Sequence, residues 1–350
     1  MAIKADVKRW QDRRNELGGQ AVNLLAADIG GTTSRLVWFT HGMQQPVRIV
    51  FEKSYPSSAF ADAESLLRAF LAEGPEAGLP DRLCLALPGP VDGGRVQLTN
   101  LDWQVDALEL SQKLRIGEVC FINDFQAAAR GVESLGRSDL RVVIPGIPRL
   151  GGTRVITGPG TGLGVAWMQS DATGGWQVFP SEGGHADFAP ADSGQCELLH
   201  WLAARHGVHV SWERLLSGAG LPALYSFLSG SDPAVEDHLD AAQIHARALG
   251  GEVLAERSIH FFTDLLAAWA GNLAVSWQPR GGLYLAGGMS IHLQDWIVTE
   301  RFAQKAMAKG RMAALVGEMP LYLVTNPRLG VLGAMQYCTE GRTAPGCEHG

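Results

Sequence analysis

A short apolar run, Val22 to Ala27, leads into Asp28-Ile29-Gly30-Gly31-Thr32-Thr33 and then into a second extended run, Ser34 to Thr40. The same plan returns much later. Arg154 to Thr157 reads as extended, Gly158-Pro159-Gly160-Thr161-Gly162-Leu163-Gly164 as a turn, and Val165 to Gln169 as extended again. The turns begin 130 residues apart, at positions 28 and 158, far beyond the roughly 20–50-residue period of a stacked-repeat protein. The spacing predicts a duplicated domain plan, and 350 residues leave room for about two domains at ~150 residues each. Glycine contributes 43 residues, where about 7% would be ordinary. Much of the surplus falls at 30–31, 93–94, 158–164, 183–184 and 287–288, so its placement carries more information than its amount.

Between the turns, Leu66, Leu67, Phe70 and Leu71 have helical spacing, while Arg82 to Leu87 and Val119 to Ile122 read as short apolar strands. Alternating strand and helix predicts an α/β class. Beyond the second turn the pattern becomes largely helical, at Cys196–Arg205, Trp212–Leu216, Pro222–Leu228, Ala241–Leu249 with Gly250 as C-terminal cap, and Val253–Trp277. Strands return at Gly282–Ala286 and Leu321–Thr325, and a last helix is expected over Leu329–Tyr337.

Composition excludes several functions. Twenty-nine basic against 36 acidic residues leave a net charge of −7, which does not suit a broad nucleic-acid or anionic-membrane footprint, because neutralising phosphate needs clustered Lys and Arg. Cys84, Cys120, Cys196, Cys338 and Cys347 are odd in number and scattered, with no C-x-x-C pair, so neither a disulfide framework nor a zinc ribbon is expected. Cys84 and Cys120 lie in apolar runs and read as buried thiols of a reducing compartment. The first twenty residues lack the apolar core of a secretion signal. Phe261–Trp277 is interrupted by Asp264 and Asn272 and reads as a core helix rather than a membrane span. A cytoplasmic protein is expected.

The glycine turns resemble phosphate-binding loops, and their details narrow the type. Neither ends in Gly-Lys-Ser/Thr, so the lysine of a P-loop is missing. A dinucleotide fingerprint needs a helix directly after the glycines, whereas Arg35–Phe39 and Val165–Met168 are rich in strand formers. Two glycine hairpins remain, either simple tight turns or a pair whose backbone N–H groups and threonine hydroxyls close on a polyphosphate. Asp28 could sit near phosphate-bound Mg²⁺ through water, or cap its turn. Asn123 and Asp124 end an apolar strand and enter an alanine-rich helix: either is a candidate N-cap, and a carboxylate there could accept a hydroxyl proton during phosphoryl transfer. Glu182, His185 and Asp187 cluster around Gly183-Gly184, without the cysteines of a zinc site, and suit the hydroxyls of a sugar. Glu213 alone reads as a first-turn glutamate. Leu285-Ala286-Gly287-Gly288 is a strand exit that could lie against a flat nucleoside.

Taken in order, AADIGGTTSRL (26–36), GPVDGGRVQLTNLDW (89–103), INDFQA (122–127), GPGTGLGVA (158–166), PSEGGHADFAP (180–190), ERLLSGAGL (213–221) and LAGG (285–288) resemble the bacterial ATP-dependent glucokinases of the sugar kinase, Hsp70 and actin superfamily. The resemblance implies a two-domain actin-like ATPase (ribonuclease H-like) α/β fold with a cleft. It divides the chain into an extension (1–21), a small domain (22–134 plus 324–340), a large domain (135–323) and a tail (341–350). It implies Asp124 as the base facing the sugar 6-hydroxyl, with Asn123, Glu182, His185, Glu213 and Asn100 on glucose. Asp28, Gly30, Gly31, Thr32, Thr33, Gly160, Thr161, Gly162, Gly287 and Gly288 would contact ATP. Magnesium would arrive with ATP and be held through water, with Asp28 nearby and no direct protein ligand. The implied activity is phosphorylation of glucose to glucose 6-phosphate; the alternatives are a kinase for another hexose or amino sugar, or a non-catalytic sugar sensor on the same fold. A homodimer is compatible with this reading. Thr33 stands where the family usually has Asn, which puts phosphate affinity and donor preference in question.

Overall fold

The computed structural model describes residues 21–42, 45–75, 78–89, 91, 94–98, 101–171, 174–207, 209–235 and 238–340. Asn100, Gly93, Cys347 and nearly all of the expected N-terminal extension and C-terminal tail therefore lie outside the described residues. The chain divides into two compact units, one running to Leu135 and resuming at Arg328, the other spanning Gly136–Pro327.

In the first unit, β1 (Val22–Ile29), β2 (Thr33–Gly42) and β3 (Gln45–Pro56) form an antiparallel meander. After α1 (Ala63–Glu73), β4 (Arg82–Leu87) pairs in parallel with β1. The small hairpin β5 (Arg95–Gln97) and β6 (Gln104–Asp106) leads to α2 (Ala107–Leu114), then β7 (Glu118–Asn123) and α3 (Asp124–Gly131). The sheet order is β3-β2-β1-β4-β7. Because β1 is central, its alternate residues enter different cores: Leu25, Ala27 and Ile29 join Leu66, Phe70 and Leu110 of α1 and α2, while Val22, Leu24 and Ala26 face the other layer. Asp62 caps α1, accepting from Ser65 N–H at 2.7 Å.

The second unit opens with β8 (Leu140–Ile144) and then repeats the meander as β9 (Arg154–Pro159), β10 (Leu163–Ser170) and β11 (Trp176–Ser181). Helices α4 (Ser193–His206), α5 (Gly220–Leu228), α6 (Ala241–Leu249) and α7 (Val253–Trp277) precede β12 (Gly282–Leu285). The short helices α8 (Gly288–His292), α9 (Gln294–Ile297), α10 (Glu300–Met307) and α11 (Ala313–Gly317) precede β13 (Leu321–Val324). The order β11-β10-β9-β12-β13-β8 contains the first unit's pattern with one antiparallel strand added at the edge. The recurrence of the glycine turns is thus a recurrence of topology. Buried Ile259, Phe262, Leu266 and Trp269 make α7 the spine of this unit's core, and no described helix is long and apolar enough to cross a membrane.

Two sequence expectations need correction. Each expected two-strand hairpin has a third strand, β3 and β11, and in β3 residues 46–50 are all exposed, so no apolar alternation announces it. The helix expected over Trp212–Leu216 is a single 3₁₀ turn, Trp212–Arg214, because the chain is drawn aside where Gly218 N–H donates to Gly160 O at 2.8 Å.

The chain ends by returning to the first unit as α12 (Leu329–Glu340), which packs on α3. Fully buried Arg82 of β4 holds this helix, donating to Cys338 O at 2.9 Å and pairing with Glu118 at 3.2 Å. The helices meet backbone to backbone: a Cβ on Gly131 would overlap Leu329 O, and one on Gly333 would overlap Ala127 O. Since α3 begins at Asp124, this contact sets the lie of a candidate catalytic residue. Replacing Gly333 with Ala should lower unfolding free energy by about 2–3 kcal/mol, the usual scale for overpacking, measured by urea denaturation; an unchanged midpoint would show that the helices can separate freely.

Candidate active site

In the first unit, polar groups gather at the ends of β1 and β7. The β1–β2 turn presents Thr32 and Thr33 to solvent, with Gly30 and Gly31 half-buried beneath them. Gly30 N–H donates to Thr33 O at 3.1 Å. A residue that sequence reasoning missed braces the turn from below: buried Ser57 donates its hydroxyl to Gly30 O at 2.6 Å and its N–H to Thr32 O at 2.9 Å. Its only sequence signal is the Pro56-Ser57-Ser58 break after an extended run. Thr32 and Thr33 are left exposed at the tip of the braced turn, where an anion can reach them.

Asp28 lies beside this turn, paired across the strands with Arg35. Loss of solvent around its carboxyl raises its pKa from 3.8 to about 6, against the opposing pull of Arg35. The start of α12 supplies much of that cover, for a Cβ on Gly330 would overlap the Asp28 carboxylate. Gly330 was also missed, because only the tertiary return of the last helix brings it there.

At the end of β7, Asn123 is the N-cap of α3. Its Oδ1 accepts from Phe125 N–H at 3.0 Å and Gln126 N–H at 3.1 Å, and its Nδ2 donates to Gly89 O at 3.1 Å. The capping alternative for Asn123 therefore holds. Asp124 is the first residue of α3, with Oδ1 accepting from Phe125 N–H at 2.8 Å.

In the second unit, the β9–β10 turn is the meeting point. Glu182, His185 and Glu213 come together beside it, His185 Nε2 lying 3.9 Å from Glu182 Oε2 and His185 Nδ1 lying 3.8 Å from Glu213 Oε1. Asp187 instead pairs with His209 at 3.1 Å. Glu213 Oε2 accepts from Leu163 N–H at 2.9 Å, two residues after the exposed Thr161. On the other flank, Ala286 N–H donates to Thr157 O at 2.8 Å, and Gly287, at φ +90°, sits where a Cβ would overlap Pro159 O. Gly288 starts α8 with open space around its Cα. Buried Thr157 ties the turn to the core, donating to Gly164 O at 2.8 Å and accepting from Trp269 Nε1 at 3.0 Å. No set of three or more His, Cys, Asp or Glu suited to a metal ion occurs among the described residues.

The glucokinase family model matches residues 25–341. The chain belongs to the glucokinase family. A curated glucokinase of Synechocystis sp. is 36% identical, covering 91% of this chain and 98% of the relative. One from Trichormus variabilis is 35% identical, covering 89% and 97%. Among solved structures, a glucokinase from an Antarctic psychrotroph is 32% identical with a TM-score of 0.76, covering 91% of this chain and 99% of that one. The architecture is accordingly the two-domain actin-like ATPase fold of this family.

The raised pKa of Asp28 has a stability consequence with a definite sign. The folded state holds the Asp28 proton more tightly than the unfolded chain, so stability falls as pH rises from about 4 through 6. Asp28→Asn should therefore raise the melting temperature at pH 7.5, by at most about 3 kcal/mol in free energy, with the gain vanishing near pH 3.5. A variant no more stable than its parent at pH 7.5 would contradict the desolvation of this carboxyl.

Proposed function

We propose that this chain transfers the terminal phosphoryl group of ATP to the 6-hydroxyl of glucose, yielding glucose 6-phosphate and ADP. The observation that carries this reading is the convergence of Glu182, His185 and Glu213 on a glycine-threonine turn, one carboxylate touching both. Carboxylates and an imidazole at fixed angles match the donors and acceptors of sugar hydroxyls, and a turn with an exposed threonine between glycines suits phosphate.

In this reading Asp124 accepts the proton of the 6-hydroxyl as that oxygen attacks the terminal phosphorus, and the bond to the bridging oxygen of ADP breaks. Asn123 supports Asp124 by fixing the first turn of α3, and its remaining amide hydrogen is available to the sugar. Glu182, His185 and Glu213 hold the other hydroxyls, as does Asn100 by the resemblance. Gly31, Thr32 and Thr33 offer donors to the phosphates in the first unit and Thr161 and Gly162 in the second, while Gly30 and Gly160, whose N–H groups donate to Thr33 O and Gly162 O, let the backbone approach them closely. Gly288, with open space around it, leaves room for adenosine, and Gly287 sets its place by packing on Pro159.

Magnesium bound to ATP would offset charge on the phosphate oxygens. Asp28 fits a place beside it through water, since a desolvated carboxylate gains from a nearby cation. The four described cysteines are free thiols, which supports a cytoplasmic setting.

Asp124→Ala should lower kcat by at least 10³-fold, consistent with loss of a general base together with transition-state positioning, while the glucose Kd from calorimetry stays within about threefold. Near-normal turnover would remove Asp124 from that role. A coupled assay across glucose, mannose and glucosamine with ATP or polyphosphate tests substrate and donor together. Glucose with ATP should give the highest kcat/KM, and no turnover with any pair would favour a sugar sensor.

A further inference from the structure

The sugar-side residues and the phosphate turn of the second unit are joined through one residue, Leu163. Its N–H donates to Glu213 Oε2 at 2.9 Å. Its carbonyl oxygen lies so close to Gly184, in the Glu182–His185 loop, that a Cβ there would overlap it. Two separate sugar-side segments therefore seat on the residue that closes the turn. Gly162, just before it, shows the same constraint from the opposite side: a Cβ would overlap Glu213 Oε2, and the three atoms nearest to it all belong to that side chain. The backbone of Gly162 is not in the left-handed region, so its glycine is needed to make room for the carboxylate. Glu213 thus uses its two oxygens differently, Oε2 on the turn and Oε1 toward His185 at 3.8 Å.

We infer that Glu213 positions the Gly160–Leu163 turn for ATP in addition to contacting sugar, and so couples the affinities for the two substrates. This rests on the assignment of glucose and ATP made above. A carboxylate that orders the turn tightens the nucleotide even without sugar. A sugar hydroxyl engaging Oε1 restrains the side chain whose other oxygen holds the turn, so each ligand favours the other by the same factor. The side chain of Glu213 is only 30% exposed, against 70% for Glu182, which suits a group held on the protein rather than one waiting in solvent.

The test measures ATP affinity without sugar, by calorimetry with a non-hydrolysable ATP analogue. Glu213→Ala should raise the analogue Kd about tenfold, the scale of one charge-assisted hydrogen bond. Glu213→Gln keeps an acceptor for Leu163 N–H and should stay within about twofold, although its glucose Kd rises. Gly162→Ala should raise the analogue Kd about tenfold in the parent, yet less than twofold in the Glu213→Ala background, because the group it displaces is gone. The atoms nearest the added methyl belong to the end of one side chain, so Gly162→Ala is expected to retain the fold, checked by its melting temperature. An analogue Kd unchanged by Glu213→Ala, or a Gly162→Ala penalty that persists without Glu213, overturns the coupling while leaving the kinase assignment intact. A parent that binds neither glucose nor the analogue overturns both.

Discussion

Leu163 N–H donates to the Glu213 carboxylate at 2.9 Å, and the glycine turn takes its position from that bond and from close backbone contacts around it. Gly158 presses on Ala286 O, Gly184 on Leu163 O and Gly287 on Pro159 O, each at a separation no Cβ would permit. The turn is therefore held by three loops from distant parts of the sequence. Thr157 and Trp269 extend the hold to α7, the main core helix. A preorganised set of N–H donors needs this support, because a loop free to reorient loses entropy whenever it binds an anion.

The first unit supports its turn by other means. Ser57 satisfies the inner carbonyls of the β1–β2 turn, and α12 covers Asp28. The desolvated Asp28 carboxyl opposes folding at neutral pH, so its place is held at a cost in stability by the packing of Gly330, Gly333 and Arg82 around the returning helix. Asn123 serves the fold as a helix cap and in doing so orients the residue that follows it. Structure and proposed chemistry draw on the same side chain there, which is why either reading of Asn123 from the sequence is incomplete alone.

Much of the site was legible because its chemistry lies in short continuous motifs. Asn123-Asp124 at a strand end, Glu182 to His185 around two glycines and the paired glycine-threonine turns are local patterns, and α6 and α7 were legible to the residue from their spacing and caps. Edge strands β3 and β11 were hidden because little of either is buried, so neither shows apolar alternation. Ser57 and Gly330 were hidden for another reason: a serine after proline and a glycine in a helix have no local signature of the carbonyl or carboxylate they meet.

The sequence by itself determined the doubled plan, the α/β class, the kinship with glucokinases and the residue types at the site, since each of these is written in local order and spacing. Only the tertiary structure decided which groups touch. It brought Gly330 to Asp28 across 302 positions, set Glu213 on Leu163, and turned the segment after Trp212 away from helix toward Gly160. Contacts of that kind depend on the sub-ångström fit of backbone against backbone, which packing alone specifies.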